Sequence, residues 1–353
     1  MLKLVELLTH TKKSGSSDLH ISAMSPVLNR LHGHLTPIDA VGPAPLGKED
    51  AQNLILQSVN EEQRKALIAK RELDFAIELP GVARFRGNIF FQRNGLAAVF
   101  RVIPTEIKTF EELNLPESVR KLAQLEKGLV VVTGPTGSGK STTLAAMIDD
   151  INRRDAKHII TIEDPIEFVH PSKKSLVNQR EVGANTLSFA NALKSALRED
   201  PDCILVGEMR DMETISLALT AAETGHLVFG TLHTNSAPKT VTRIIDVFPS
   251  TEKAQIRAML ADSLQGVVAQ LLIPRKDRPG RVAVQEIMVC TPAVRSLIRE
   301  DKLHQIPTVI QTGMKYGMQS LEQELRKFLT QGLIEIDEVA KRIPDPDLLA
   351  KLL

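Results

Sequence analysis

The stretch GLVVVTGPTGSGKST, residues 128–142, decides the fold. It begins with an apolar run that suits a buried strand, continues into a glycine-rich loop and ends where a helical pattern starts. The loop fits G-x-x-x-x-G-K-[ST], the pattern of a phosphate-binding loop. Glycines let backbone N–H groups approach phosphate oxygens without Cβ clashes, and the helix N-terminus adds a partial positive charge. The sequence therefore predicts a strand–loop–helix unit that binds a nucleotide.

The residues of this loop have predicted roles at the phosphates. Lys140 is expected to reach the β- and γ-phosphates, and the Ser141 hydroxyl is expected to bind Mg²⁺. The whole loop is expected to hold the nucleotide: Gly134, Pro135, Thr136, Gly137, Ser138, Gly139, Lys140, Ser141 and Thr142. The sequence contains neither the guanine-reading tetrapeptide Asn-Lys-x-Asp nor the transporter signature Leu-Ser-Gly-Gly-Gln, so we expect ATP with Mg²⁺.

Apolar runs and helical patterns alternate after the loop. Further strands are predicted in KHIITIEDP (157–165), PDCILVGE (201–208) and HLVFGTLHT (226–234). Apolar strands that alternate with helices are typical of a parallel sheet covered on both faces. Mostly short helices are expected from about residue 290. The predicted fold class is therefore α/β, with a parallel sheet at its centre.

A smaller α+β domain is expected before this core, in residues 1–105. Its clearest signal is Asn94-Gly95 between ARFRGNIFFQ (83–92) and AAVFRVI (97–103), which predicts a hairpin. The stretch IPTEIKTFEELNLPES (103–118) carries two prolines and little periodicity, so we expect a linker at residues 106–118. The nucleotide-binding domain is then expected to span residues 119–353, including the C-terminal helices.

The composition excludes several classes of protein. The 353 residues include 44 Lys and Arg against 43 Asp and Glu, one Tyr and no Trp, which argues against a nucleic-acid partner. Cys203 and Cys290 have no CxxC partners, so neither a zinc cluster nor a disulfide framework is expected. No signal peptide and no apolar run of about 18 residues occurs, and we expect a soluble cytoplasmic protein.

Two glutamates follow predicted strands at positions suited to catalysis. In parallel sheets, ligands bind at the carboxyl ends of the strands. Glu163, in TIEDPIEF (161–168), is placed to orient and deprotonate the attacking water. Glu208, in CILVGEMRD (203–211), is placed to hold Mg²⁺ or one of its waters. The reverse assignment is also chemically possible, and Glu208 alternatively caps the strand by pairing with Arg210.

Two histidines flank the strand predicted in residues 226–234. His226 precedes it and His233 lies at its carboxyl end, where a hydrogen bond to the γ-phosphate is within reach. A structural role for either histidine is an equally open interpretation.

Four motifs in this order resemble one family, the secretion ATPases of type II and type IV pilus systems. The motifs are GPTGSGKST (134–142), TIEDPIEF (161–168), ILVGEMRD (204–211) and GHLVFGTLHTN (225–235). Within that group the chain resembles the branch that retracts pili. Its AVRSLIRE (293–300) is similar to the AIRNLIRE motif of that branch, and it lacks the extra N-terminal domain and paired CxxC motifs of many assembly and secretion relatives.

The resemblance implies a fold, an assembly and partners. The fold is a RecA-like P-loop ATPase core, preceded by a small α+β (PAS-like) domain and followed by C-terminal helices. The assembly is a homohexamer at the cytoplasmic face of the inner membrane. It acts on the platform protein of the pilus, reaches the membrane only through partners, and binds no nucleic acid.

The resemblance also implies roles for individual residues. Glu163 acts as the general base, Glu208 lies on the metal side, and His226 and His233 tune the site. Arg86 and Arg101 act on the γ-phosphate from the N-terminal domain, because a guanidinium neutralises charge on the transferred phosphoryl group. Arg243 is a weaker candidate for the same task.

Three alternative functions stay open at this point. The chain is alternatively a relative that powers pilus assembly or type II secretion, or a nucleotide-gated interaction module that does not hydrolyse ATP. A DNA-translocating ring is disfavoured by the balanced charge and the scarcity of aromatic residues.

Overall fold

The computed structural model describes residues 2–31, 33–39, 41–103 and 106–342. The chain divides into two compact units, Met1–Glu106 and Ile107–Leu353. Residues 1, 32, 40, 104 and 105 of the predicted first domain and residues 343–353 of the predicted C-terminal segment lie outside the described residues.

The first unit contains one antiparallel sheet among its described residues. The strands are β1 (Asp18–Ser22), β2 (Leu28–Leu31), β3 (His34–Pro37), β4 (Glu72–Leu79), β5 (Ala83–Gln92) and β6 (Gly95–Ile103). The sheet has six strands in the order β3-β2-β1-β6-β5-β4. β5 and β6 form the predicted hairpin, in which Gln92 lies opposite Gly95.

The α-helices that the structure describes in this unit are α1 (Leu4–Lys13), α2 (Lys48–Ile55) and α3 (Glu61–Lys70). α3 begins at a capping box, since the Asn60 side chain accepts from the Gln63 backbone N–H and the Gln63 side chain accepts from that of Asn60. Leu8 of α1, Ile55 of α2 and Phe100 of β6 are fully buried in one apolar cluster. The first unit therefore has a hydrophobic core of its own.

The second unit is built on a seven-stranded sheet. Its strands are β7 (Gly128–Thr133), β8 (His158–Glu163), β9 (Leu176–Glu181), β10 (Cys203–Val206), β11 (Leu227–Leu232), β12 (Leu264–Pro274) and β13 (Arg281–Val289). The order is β13-β12-β7-β11-β10-β8-β9. All neighbours pair in parallel except β13, which is antiparallel to β12. The predicted α/β fold with a parallel sheet is confirmed.

Helices cover both faces of this sheet, and the side chains of β7 show how. Val131 belongs to one buried cluster, whereas Val130 and Val132 belong to another, as the alternation of side chains along a strand requires. The helices of the unit are α4 (Glu117–Ala123), α5 (Lys140–Arg154), α6 (Phe189–Ala196), α7 (Met212–Glu223), α8 (Ala237–Asp246), α9 (Lys253–Ser263), α10 (Pro292–Arg299), α11 (Ile306–Thr312), α12 (Leu321–Thr330) and α13 (Ile336–Ala340).

Two further features bear on the predicted organisation. Phe110, in the segment predicted as a linker, is buried in the core of the second unit beside Val119 of α4. The helices α10 to α13 follow the sheet, so the predicted C-terminal helices are confirmed for the described residues. Among all the residues that the structure describes, no helix combines the length and the apolar character that a membrane span needs.

Candidate active site

The phosphate loop joins β7 to α5, and its glycines are required by close packing. Gly134 has φ +146°, and a Cβ there would lie 2.2 Å from the backbone oxygen of Gln270. Gly139 has φ +87°, and a Cβ there would lie 2.8 Å from Nε2 of Gln270. Both conformations favour glycine, and β12 leaves no room for a larger residue. The loop is therefore pressed against the neighbouring strand.

Lys140 is the first residue of α5, and its side chain turns back along the loop. Its Nζ donates to the carbonyl oxygens of Gly134, at 2.9 Å, and Pro135, at 3.2 Å. Burial lowers the pKa of this ammonium group, and the carboxylates of Glu167 and Glu208 oppose that effect. The cation is thus held beside the loop with acidic residues nearby.

The strand order brings three of the predicted residues to one edge. β11, β10 and β8 follow β7 in the sheet and run parallel to one another, so their carboxyl ends lie on the side of the phosphate loop. Glu163 is the last residue of β8, Glu208 follows β10 after Gly207, and His233 directly follows β11. The structure places all three at the edge that holds the loop.

The Glu163 carboxylate has defined partners. Its Oε1 accepts hydrogen bonds from Thr161 Oγ1, at 2.7 Å, and Gln179 Nε2, at 3.2 Å. Its Oε2 accepts a longer bond of 3.4 Å from the backbone N–H of Glu167. Burial raises the pKa of Glu163, whereas these hydrogen bonds lower it. A carboxyl group with a raised pKa is a better proton acceptor than an ordinary glutamate.

A cavity of about 30 Å³ lies against Glu163. Its polar lining includes Ser141 and His170, and its other walls include Phe168 and Leu205. A site of this size with several polar partners accommodates water. His170 is buried, its Nδ1 has no hydrogen-bond partner among the described residues, and burial lowers its pKa to about 4. A neutral imidazole therefore forms part of the wall.

Glu208 lies between two nitrogen donors. Its Oε1 is 2.9 Å from Nε2 of His233 and also accepts from Nε of Arg210. The pairing with Arg210 that the sequence left as an alternative is thus present together with the contact to His233. Mg²⁺ is commonly held by one or two protein oxygens together with phosphates and waters. The Ser141 hydroxyl and the Glu208 carboxylate supply such oxygens at this edge, so the donor set fits Mg²⁺.

His226 is not brought to this edge within the unit. It precedes β11, and the two ends of that six-residue strand are about 17 Å apart. Its Nδ1 lies 3.0 Å from the backbone oxygen of Ala221 and 3.3 Å from Oγ1 of Thr224, at the end of α7. These contacts tie the end of α7 to the start of β11. A role for His226 at the nucleotide stays a prediction.

The two predicted arginines lie opposite each other in the first unit, Arg86 on β5 and Arg101 on β6. Nε of Arg101 donates to Oδ1 of the buried Asp18, at 2.8 Å. Arg86 lies 3.9 Å from the carboxylate of Asp74. Arg243, the weaker candidate, is in the last turn of α8 in the second unit. Their action on the γ-phosphate stays a prediction.

Sequence reasoning missed Gln270, which supports the phosphate loop from β12. Its Nε2 donates to the backbone oxygen of Ser138 at 2.7 Å, and its Oε1 accepts from Thr143 Oγ1 at 2.8 Å. A second buried glutamine, Gln285 of β13, donates to the same Oε1 at 2.7 Å. The available signal was a polar residue inside the apolar run VVAQLLI.

The buried polar contacts continue from β13 to α12. The backbone N–H of Gln285 donates to Glu324 Oε2, and its backbone oxygen accepts from Gln319 Nε2 at 2.8 Å. Glu324 is only 4% exposed, and burial raises its pKa to about 7. A continuous chain of hydrogen bonds therefore runs from the phosphate loop through Gln270 and Gln285 to the C-terminal helices.

A phosphate loop on a parallel sheet, with two glutamates at the carboxyl ends of neighbouring strands, defines a nucleotide-binding protein of the P-loop class. The family described as "Type II/IV secretion system protein" matches residues 6–341. The chain belongs to this family.

Individual relatives cover almost the whole chain. The type IV pilus retraction ATPase PilT of Pseudomonas aeruginosa is 54% identical over 346 residues, which are 98% of this chain and 99% of that protein. A twitching motility protein of Neisseria gonorrhoeae is 53% identical over 98% of this chain and 91% of its own length. A crystal structure of the pilus retraction motor PilT with bound ADP matches with a TM-score of 0.93 and 46% identity, covering 99% of this chain and all of that one. The predicted resemblance to the retraction branch is confirmed.

Proposed function

We propose that this protein is a Mg²⁺-dependent ATPase that powers the retraction of type IV pili. The observation that carries the proposal is the position of Glu163, a half-buried carboxylate at the same edge of the sheet as the phosphate loop. The similarity to retraction ATPases over nearly the full chain supports the biological role.

The residues of the second unit have separate tasks in this proposal. The phosphate loop and Lys140 bind the phosphates, and Glu163 orients the attacking water and accepts its proton. Glu208 and Ser141 lie on the metal side, and His233 keeps Glu208 in place through their contact. Mg²⁺, when bound, would neutralise phosphate charge and hold the phosphates in position.

The mechanical output requires an assembly. We propose a homohexamer in which Arg86 and Arg101 contact the γ-phosphate, so that hydrolysis breaks contacts that favour a closed arrangement. The ring works in the cytoplasm on the inner-membrane platform protein of the pilus and reaches the membrane only through that partner. The family to which the chain belongs supports this arrangement.

Two experiments test the proposal. Purified Glu163→Gln is expected to bind ATP and to lose most phosphate release, because an amide cannot accept the proton. Glu213→Gln, which removes an exposed carboxylate from α7, is the matched control and is expected to hydrolyse ATP normally. Near-normal turnover in Glu163→Gln would remove Glu163 from this role. Wild-type turnover no faster than that of Lys140→Ala would favour a nucleotide-gated module instead.

The direction of the motor is tested in cells. A strain that lacks the protein is expected to keep its pili and to lose their retraction. A strain that loses its pili altogether would favour the assembly function.

A further inference from the structure

One oxygen of the Glu163 carboxylate receives both side-chain donors. Thr161 and Glu163 are two residues apart on β8, so their side chains share one face of the sheet. Gln179 lies directly opposite Thr161 on β9, which brings its amide to the same face. Thr161 Oγ1 and Gln179 Nε2 both donate to Oε1, at 2.7 and 3.2 Å.

The orientation of the Gln179 amide is fixed by its other partners. Its Nε2 also donates to the backbone oxygen of Phe168 at 2.8 Å, and its Oε1 accepts from the backbone N–H of His170 at 2.7 Å. An amide flip would place an oxygen against two acceptors and an NH₂ group against a donor, so the flipped orientation is excluded. The donor that faces Glu163 is therefore set by the turn that follows β8.

The other carboxylate oxygen is left with little protein contact. Among the described residues, Oε2 has one hydrogen bond, the 3.4 Å contact from the Glu167 N–H, which is longer than a usual N–H···O bond. A carboxylate acts as a base through an oxygen whose lone pair is available in the right direction. Two donors on Oε1 prevent the carboxylate from rotating, so Oε2 keeps its direction.

We propose that Thr161 and Gln179 are positioning residues for hydrolysis, which hold Glu163 by Oε1 so that Oε2 receives the proton of the attacking water. In this step the water oxygen bonds to the γ-phosphorus and its proton moves to Oε2. The bond from the γ-phosphorus to the bridging oxygen breaks, and ADP leaves. The inference rests on the proposed role of Glu163 as the base.

A second consequence follows for the acidity of the base. Both hydrogen bonds stabilise the ionised carboxylate and so lower its pKa, against the effect of burial. If either donor is removed, fewer hydrogen bonds oppose the effect of burial, which raises the pKa of Glu163. The pH at which the base becomes protonated should then rise, and activity on the acidic side should be lost earlier as the pH falls.

The test is the pH profile of kcat for phosphate release by the full-length protein. Thr161→Val keeps the shape of a fully buried side chain but removes the donor. We expect its acid limb to move up by about one pH unit and kcat at neutral pH to fall several-fold. Thr161→Ser restores a hydroxyl, and its acid limb is expected to lie closer to that of the wild type. KM for ATP should change by less than about twofold, because the phosphate loop is untouched.

Two further variants keep the test decisive. Gln179→Met, on the edge strand β9, should move the acid limb in the same direction, and it serves if Thr161→Val does not fold. Thr312→Val, at an exposed position on α11, is the control for the substitution itself and should leave the profile unchanged. Circular dichroism and melting temperature establish that each variant is folded.

The outcomes separate the inference from the proposed function. If Glu163→Gln abolishes turnover while folded Thr161→Val and Gln179→Met keep the wild-type profile, the positioning role is wrong and the base assignment stands. If Glu163→Gln retains turnover, the base assignment is wrong, and the inference is overturned with it.

Discussion

Glu324→Gln is expected to remove a pH dependence from the stability of the second unit. Glu324 lies on α12, is 4% exposed, and has its pKa raised by burial from an ordinary value of 4.5 to about 7. Between these two values the folded protein holds a proton that the unfolded chain has released. The free energy of unfolding therefore falls by about 1.4 kcal/mol per pH unit across that window, or about 3 kcal/mol in all. The stabilisation is complete below pH 4.5 and is lost as the pH rises through 7.

Glutamine retains an oxygen for the Gln285 backbone N–H and does not titrate in this range. The variant should match the wild type near pH 4 and exceed it by about 3 kcal/mol near pH 8. Urea unfolding followed by far-UV circular dichroism across this range measures the difference. Glu322→Gln, on the same helix but partly exposed, is the matched control. A difference between Glu324→Gln and the wild type that does not change with pH would refute the reasoning.

Two other predictions concern the phosphate loop. Gly139→Ala should abolish measurable ATP binding, because the residue has φ +87° and its Cβ would meet Gln270 at 2.8 Å. The control is Gly137→Ala, at a residue with φ +77° and open space around the added Cβ, and it should weaken ATP binding less. Equal losses of affinity for the two variants in an ATP titration would contradict the packing argument. Gln270→Leu leaves the Ser138 oxygen without its donor and should lower the melting temperature and weaken ATP binding, at a cost of about 1–3 kcal/mol. Unchanged ATP affinity in folded Gln270→Leu would show that the loop holds its shape without the Gln270 amide.

The core of the fold was predictable because its signals are local. The apolar run of β7, the glycines of the loop and the helical pattern of α5 are contiguous, and this unit alone indicates a nucleotide site. The sequence patterns do not predict the strands β9, β12 and β13. β9 reads LVNQRE and lies at an edge, so it lacks the apolar run that marks a buried parallel strand.

The supports of the site were not predictable for a different reason. Gln270 contacts Ser138 across 132 residues of sequence, and only the pairing of β12 with β7 brings them together. Gln179 reaches Glu163 because β9 pairs with β8 in one register, and a shift by one residue would turn its amide to the other face. Sequence patterns place the strand ends, whereas strand pairing selects the neighbours of each functional group.

The surroundings of Glu163 and Glu208 support one assignment of their roles, with Glu163 as the base and Glu208 on the metal side, over the reverse assignment. Glu208 shares its Oε1 between Arg210, a permanent cation, and His233. These contacts hold the Glu208 carboxylate beside a fixed cation. Glu163 has only neutral donors on Oε1, and burial raises its pKa. Proton transfer to Glu163 removes a charge that burial disfavours, whereas the Glu208 carboxylate is engaged in an ion pair. This contrast favours Glu163 as the base and leaves the Glu208 charge for the metal side.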